Sequence, residues 1–134
     1  MLPFPCDLRP GESPYRQVTF AATRAIVAGL LQPGTPFPSV RELSMALRIN
    51  PNTAHKVVAE LVRSGLLEVR PGVGTVVASG RSATDEERRA LLSTPVEQLV
   101  VEARRLGLSL GDVQAAIASQ WKAIAPDTPN TEPR

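Results

Sequence analysis

The chain has 134 residues, enough for one ordinary domain or a small domain with an appendage. Hydrophobic residues make up 43% of it but aromatics only 4%, so Leu, Val, Ile and Ala must build the core. A net charge of +2 is too small to argue for a polyanionic partner, a single cysteine excludes an internal disulfide, and no run nears the roughly 20 apolar residues of a membrane span.

The N-terminus lacks a basic stretch followed by an apolar one, so a secretory signal is not expected, and the composition fits a reducing cytoplasm. Charge is unevenly spread. Residues 1–80 hold eight Lys/Arg against five Asp/Glu, and residues 81–134 hold seven against eight.

In chain order, residues 1–14 are dense in Pro and Gly and read as an extended arm. A helix is expected from Tyr15 to Leu31, with Val18, Ala22, Ala25, Ile26 and Leu30 on one apolar stripe and Gln32-Pro33-Gly34 as its stop. Ser39 with Glu42 forms a capping box for a short helix to about Leu47, whose Val40, Leu43, Ala46 and Leu47 face one way and leave Arg41 on the polar side. After a turn from Ile49 to Asn52, a third helix starts near Pro51 and runs to Arg63, with Val57, Val58, Leu61 and Val62 on its core side and Gly65 as its stop. Leu66–Arg70 and Thr75–Ala78 read as two strands joined by Pro71-Gly72-Val73-Gly74.

The composition shifts between Ser79 and Ala83, so a boundary is placed there: residues 1–80 form one domain and 81–125 a helical region. Thr84 with Glu87, Thr94-Pro95-Val96-Glu97 and Ser109 with Asp112 open three helices, the second closed by Gly107. Val96, Leu99, Val100, Ala103 and Leu106 make one stripe; Val113, Ile117, Trp121 and Ile124 make another. Residues 126–134 are too polar to order themselves and are expected to be a flexible tail. The fold class is therefore mostly α with a small β-hairpin wing: a winged helix-turn-helix followed by a short helical region.

That order presents one helix to a major groove and a basic loop to the adjoining backbone or minor groove. The first turns of the third helix read Asn50, Pro51, Asn52, Thr53, Ala54, His55, Lys56. Asn bonds two edges of adenine, Thr reaches a phosphate or a thymine methyl, and Lys56 neutralises a phosphate. Taken alone, Asn50 and Thr53 are explained as helix caps, Arg41 as a solvated charge and Arg70 as an ordinary hairpin arginine; the surrounding frame makes them candidates for DNA contact. Ser39, at the start of the preceding helix, and the close-approaching Gly72 and Gly74 of the wing complete the set.

Other chemistries lack support. His55 has no acid–nucleophile spacing or second imidazole, so a groove or phosphate contact and a merely exposed side chain are its remaining roles. Cys6 has no basic neighbour closer than Arg9, no Gly-rich phosphate loop precedes a helix, and Asp85, Glu86 and Glu87 read as a helix N-terminal charge cluster. No enzyme, metal or cofactor is expected.

The run PGTPFPSVRELSMALRINPNTAHKVVAELVRSGLLEVRPGVGTVV resembles the winged-helix DNA-binding domain of the GntR family of bacterial transcription regulators, through PSVREL, NPNTAHKVVAEL, GLLEVRPG and GVGTVV. PYRQV and the helix leading to PG are similar to the family's first helix, so the resemblance covers residues 10 to 79. Only about forty helical residues follow, which is similar to the YtrA subfamily, where such a tail serves dimerisation. The resemblance implies an operator-binding repressor, often of a transporter operon, with the wing near the minor groove. By position it places DNA contacts on Arg41, Asn50, Asn52, Thr53, His55, Arg70 and Gly72. Other branches carry arginines around the recognition turn where this chain has Pro51 and His55, so no base preference carries over.

The expected molecule is thus a homodimer on an inverted-repeat DNA operator, with Val96, Leu99, Val100, Ala103, Leu106, Val113, Ile117 and Trp121 as dimerisation residues. Its tail is expected to be too small to enclose an effector, for which a dimer interface remains a second source, and no effector is assigned. A winged-helix protein-interaction module that never touches DNA is the alternative; it would show apolar anchors where this chain has Asn, Thr and Lys.

Overall fold

The structure, a computed structural model, describes residues 2–80 and 83–124. The chain divides near residue 81 into two compact units. The expected polar tail lies outside the described residues.

The first unit holds α1 (Pro14–Val27), α2 (Val40–Leu47), α3 (Pro51–Arg63), β1 (Leu67–Arg70) and β2 (Gly74–Val77). Ser13 caps α1, its Oγ accepting from the Arg16 N–H at 3.2 Å, and Pro14 fills the first helical position, where its missing N–H is harmless. The helix stops earlier than the apolar spacing predicts. Gly29 takes φ +85°, and the N–H of Leu30 turns back to the Ala25 carbonyl. Leu30 is consequently exposed, and Leu31 enters the core in its place.

α2 opens on the expected capping box, with Ser39 Oγ accepting from the Glu42 N–H and Glu42 Oε1 accepting from the Ser39 N–H. Of its expected inward residues Leu43 is buried and Val40 and Leu47 pack half-buried on the core, but Ala46 is exposed; Ser44 is buried as well, its hydroxyl donating to the Arg41 carbonyl at 3.0 Å. Arg48 closes the helix in the left-handed region, the sole non-glycine with positive φ among the described residues.

α3 carries Ala54, Val57 and Leu61 fully buried at three- and four-residue steps, and packs on α1, α2 and β1. Gly65 ends it at φ +85°, as expected. β1 and β2 pair antiparallel with Leu67 opposite Val77 and Arg70 opposite Gly74. The segment read as a mere stop after α1 does more: it forms a third line of the wing. Gly34 and Phe37 donate to Val77 and Thr75 carbonyls, Val77 donates to Thr35, and Pro36 bridges Val76. Prolines fit there because an edge line needs donors on one side only.

The N-terminal arm has no regular structure, but it is pinned. Phe4 is 4% exposed and stacks on Phe37 with ring centroids 5.8 Å apart, while Leu2, Cys6 and Leu8 pack against the same core. Burial, then the neighbouring Asp7, raise the Cys6 thiol above its ordinary pKa, so it is protonated at neutral pH.

The second unit is α4 (Asp85–Leu91), α5 (Thr94–Arg105) and α6 (Leu110–Ile124). Capping boxes at Thr84/Glu87 and Ser109/Asp112 open α4 and α6, and Gly107 at φ +78° ends α5. Among its described residues Ala103 alone is buried. Among the described residues no helix is long and apolar enough to cross a membrane.

Phe4→Ala removes from the core a ring carried by the N-terminal arm. It is expected to lower stability to urea by about 3 kcal/mol, the low end for a buried Phe because a terminal arm frays. An unchanged unfolding midpoint would mean that the arm contributes nothing.

Candidate nucleic-acid interface

The polar residues singled out from the sequence fall on three parts of the first unit: the start of α2, the first turns of α3 and the tip of the β1–β2 hairpin. On α3 the buried positions Ala54, Val57 and Leu61 fix which side faces out. The helical period then leaves Asn52, His55, Lys56 and Ala59 exposed on one face, with Thr53 half-buried beside it. Ala59 was not among the sequence candidates. The signal was available, since it continues the Asn52, His55/Lys56 step by one turn, and a methyl there lets the helix approach a surface closely.

Asn50 is the N-cap: its Oδ1 accepts from the Asn52 N–H at 2.7 Å, as the plain capping explanation requires. Thr53 takes no part in the cap. The Asn52 side chain makes no hydrogen bond to a described residue, and neither the Arg41 guanidinium nor the Lys56 ammonium has an ion-pair partner among them; all three are exposed. Ser39 is exposed, but its Oγ is engaged by Glu42. Further along α3, Arg63 is held by Glu60 at 2.6 Å; that hydrogen bond is the main reason the carboxylate titrates below its usual range. It is not a free cation.

The hairpin tip is a three-residue turn in which the Arg70 carbonyl accepts from the Val73 N–H at 3.0 Å, with Pro71 and Gly72 between them. Gly72 sits at φ +77°, the position that a type II turn reserves for glycine, and Gly74 at φ +113°. A Cβ at either would meet nothing, so the glycines serve the backbone path rather than avoid a clash. Arg70 is exposed but not unengaged: its Nε donates to Glu68 Oε2 at 2.8 Å, two residues back on the same strand. Val73 is exposed at the tip, an apolar side chain between two glycines that the sequence reading passed over.

The eight apolar residues assigned to dimerisation lie in the second unit. Ala103 is buried and Val113 half-buried; the others are exposed, Trp121 to 76%. Between α5 and α6 runs an apolar groove of about 550 Å³, with Leu99, Leu106, Ile117 and Trp121 among its walls. It is a groove open on one side rather than an enclosed cavity.

Known proteins share this arrangement. Residues 14–77 match the family described as bacterial regulatory proteins, gntR family. The HTH-type transcriptional repressor YtrA of Bacillus subtilis (strain 168) is 31% identical over 105 residues, spanning 78% of this chain and 81% of that protein. Among solved structures, a transcriptional antiterminator from Listeria monocytogenes EGD-e superposes with a TM-score of 0.78 at 23% identity, covering 96% of this chain and 97% of that one. YtrA from Sulfolobus acidocaldarius, a GntR-family transcription factor, gives 0.55 at 27% identity over 69% of this chain and 96% of its own. The match through arm-side helix, recognition turn and wing, continued into the helical region, makes this chain a member of the GntR family of transcription regulators, similar to its YtrA-type members, with a DNA-binding winged helix-turn-helix.

Proposed function

We propose that the protein is a homodimeric repressor that binds an inverted-repeat operator, its first unit reading DNA and its second holding two copies together. The observation that carries this is the division of surface chemistry. Unengaged polar and cationic groups gather on the outward face of α3 and the start of α2, while Leu99, Leu106, Leu108, Ile117 and Trp121 of the second unit are exposed along one groove.

Asn52, with His55 and Ala59 on the same face, reads base edges; Arg41, Lys56 and Arg70 hold phosphates. Asn50 positions the helix by capping it. Two-fold symmetry sets half-site centres about 10 base pairs, or a multiple, apart. The groove supports dimerisation because an exposed tryptophan, leucines and isoleucine on facing helices are costly in water and recover burial against a second copy. The repressor role follows YtrA of Bacillus subtilis, named as one. It requires only occupancy of promoter DNA.

Selection of bound fragments from the host genome, with binding measured across a salt series, tests the reading: specific, salt-dependent retention of inverted repeats supports it, and indifference to sequence and salt refutes it.

Four variants divide the roles. Asn52→Ala should weaken cognate binding by about 1–3 kcal/mol per half-site and relax selectivity at one position of each half-site, whereas unchanged discrimination between cognate and scrambled duplexes removes its base-reading role. Arg70→Ala should lower the slope of log affinity against log salt by about 1 per subunit for every sequence, and Glu68→Gln, which frees Arg70 and removes a repelling carboxylate, should tighten binding on the order of threefold per subunit at low salt. Loss of affinity in Glu68→Gln would contradict the wing contact. For the groove, Trp121→Glu should convert a dimeric mass in light scattering to a monomeric one; a monomeric wild type at micromolar concentration contradicts the dimer.

A further inference from the structure

Arg48 stands in the turn between α2 and α3, two residues before the Asn50 cap. Its backbone lies at φ 55°, ψ 48°, where an L side chain crowds the following carbonyl. The chain has a ready solution for such places: Gly29, Gly65 and Gly107 follow α1, α3 and α5 with the same sign of φ. At the end of α2 it carries an arginine instead.

Folding does not account for that side chain. Arg48 is exposed, and no ion pair or side-chain hydrogen bond joins its guanidinium to a described residue. Its cap is made by its backbone N–H, which donates to the Ser44 carbonyl; glycine would make the same bond without the crowding. A cation at a helix C-terminus gains from the dipole, but on an exposed helix of eight residues that gain is small and opposed by the left-handed strain. Residues held in sparsely populated backbone regions cluster where function requires the side chain. Here the neighbouring surface supplies a function: the unengaged Asn52 and Lys56 of α3 lie just beyond, and no acidic residue occurs between Glu42 and Glu60.

We propose that Arg48 is a phosphate-contacting residue of the DNA interface, a cation kept in the helix-turn-helix turn, where glycine would suit the backbone better, to grip the strand that flanks the groove entered by α3. This rests on the duplex-binding reading given above. A guanidinium presents paired N–H donors matched to phosphate oxygens, and a residue just ahead of the recognition helix is placed for the groove wall rather than for base edges. Arg48 therefore adds grip without sequence preference.

The test uses the full chain, a labelled random-sequence DNA duplex and an operator recovered by selection, with affinity read by fluorescence anisotropy over a salt series. Arg48→Gly should lose about 0.9 of the log–log salt slope per subunit, so about 1.8 for the proposed dimer, which amounts to roughly sixtyfold weaker binding at about 0.1 M salt, equally on both duplexes. Its melting temperature should be equal to or above that of the wild type. Arg48→Gln, which keeps the bulk, should lose the same slope, and Arg48→Lys should retain it. Arg24→Gln, on α1, controls for the loss of one positive charge and should leave the slope unchanged. An unaltered slope in Arg48→Gly and Arg48→Gln overturns the proposal, as does an equal loss in Arg24→Gln or a lower melting temperature of Arg48→Gly with normal binding. Failure of the wild type to bind either duplex in a salt-dependent way removes the DNA reading itself, a result distinct from all of these.

Discussion

The burial of Ala54, Val57 and Leu61 against α1, α2 and β1 is the constraint on which the first unit turns. These three side chains are fully removed from water and spaced so that only one rotation of α3 about its axis can bury them together. The rotation that satisfies the core is the same one that turns Asn52, His55, Lys56 and Ala59 outward. Hydrophobic packing therefore aims the recognition face, with no separate device needed to hold it.

The surface built on that frame is economical in partners. Exposed charges elsewhere are commonly tied up at short sequence range, as Arg9 is with Glu12, Arg63 with Glu60, Arg88 with Asp85 and Arg105 with Glu102. Such exposed pairs contribute little to stability. Their effect is to mute the field of those cations, so that Arg41, Arg48 and Lys56, lacking partners among the described residues, dominate the approach to α3. Arg70 is the intermediate case. Glu68 holds it on the strand at 2.8 Å, and in the proposed complex that contact is exchanged for a phosphate. In a screened, exposed setting this exchange is easy and makes the wing a contact of adjustable strength.

The second unit follows a different logic. Two of its three helices are secured locally by the Thr84/Glu87 and Ser109/Asp112 boxes, yet all three leave nearly every apolar side chain in water. Caps fix where a helix begins; they do not give it a core. This combination is what a region needs if its core is to be completed by another copy, and it is the reason a dimer is proposed.

The sequence by itself determined most elements and their order. Capping boxes, Pro at first turns and glycine stops are local chemistry written in consecutive residues, and they place α2, α3 and the helices of the second unit to within a residue or two. It also placed Asn52, His55 and Lys56 on the outward side of α3, because outward polar positions follow from inward apolar ones on the same helix. Only the tertiary structure decided the rest. The apolar stripe of α1 pointed past Gly29 to Leu30, but a left-handed glycine ends the helix there and sends Leu31 inward. A proline-rich segment with no strand pattern became the third line of the wing because β2 had a free edge to pair. Phe4 gave no periodic signal in a Pro-rich arm, and its burial depends on meeting Phe37, thirty-three residues away. Arg48 reads in sequence as one more surface cation. Its φ of 55°, a property of how α2 must hand over to α3, is what sets it apart. In each case the missing information was a long-range partner or a backbone sign, and neither is written in neighbouring residues.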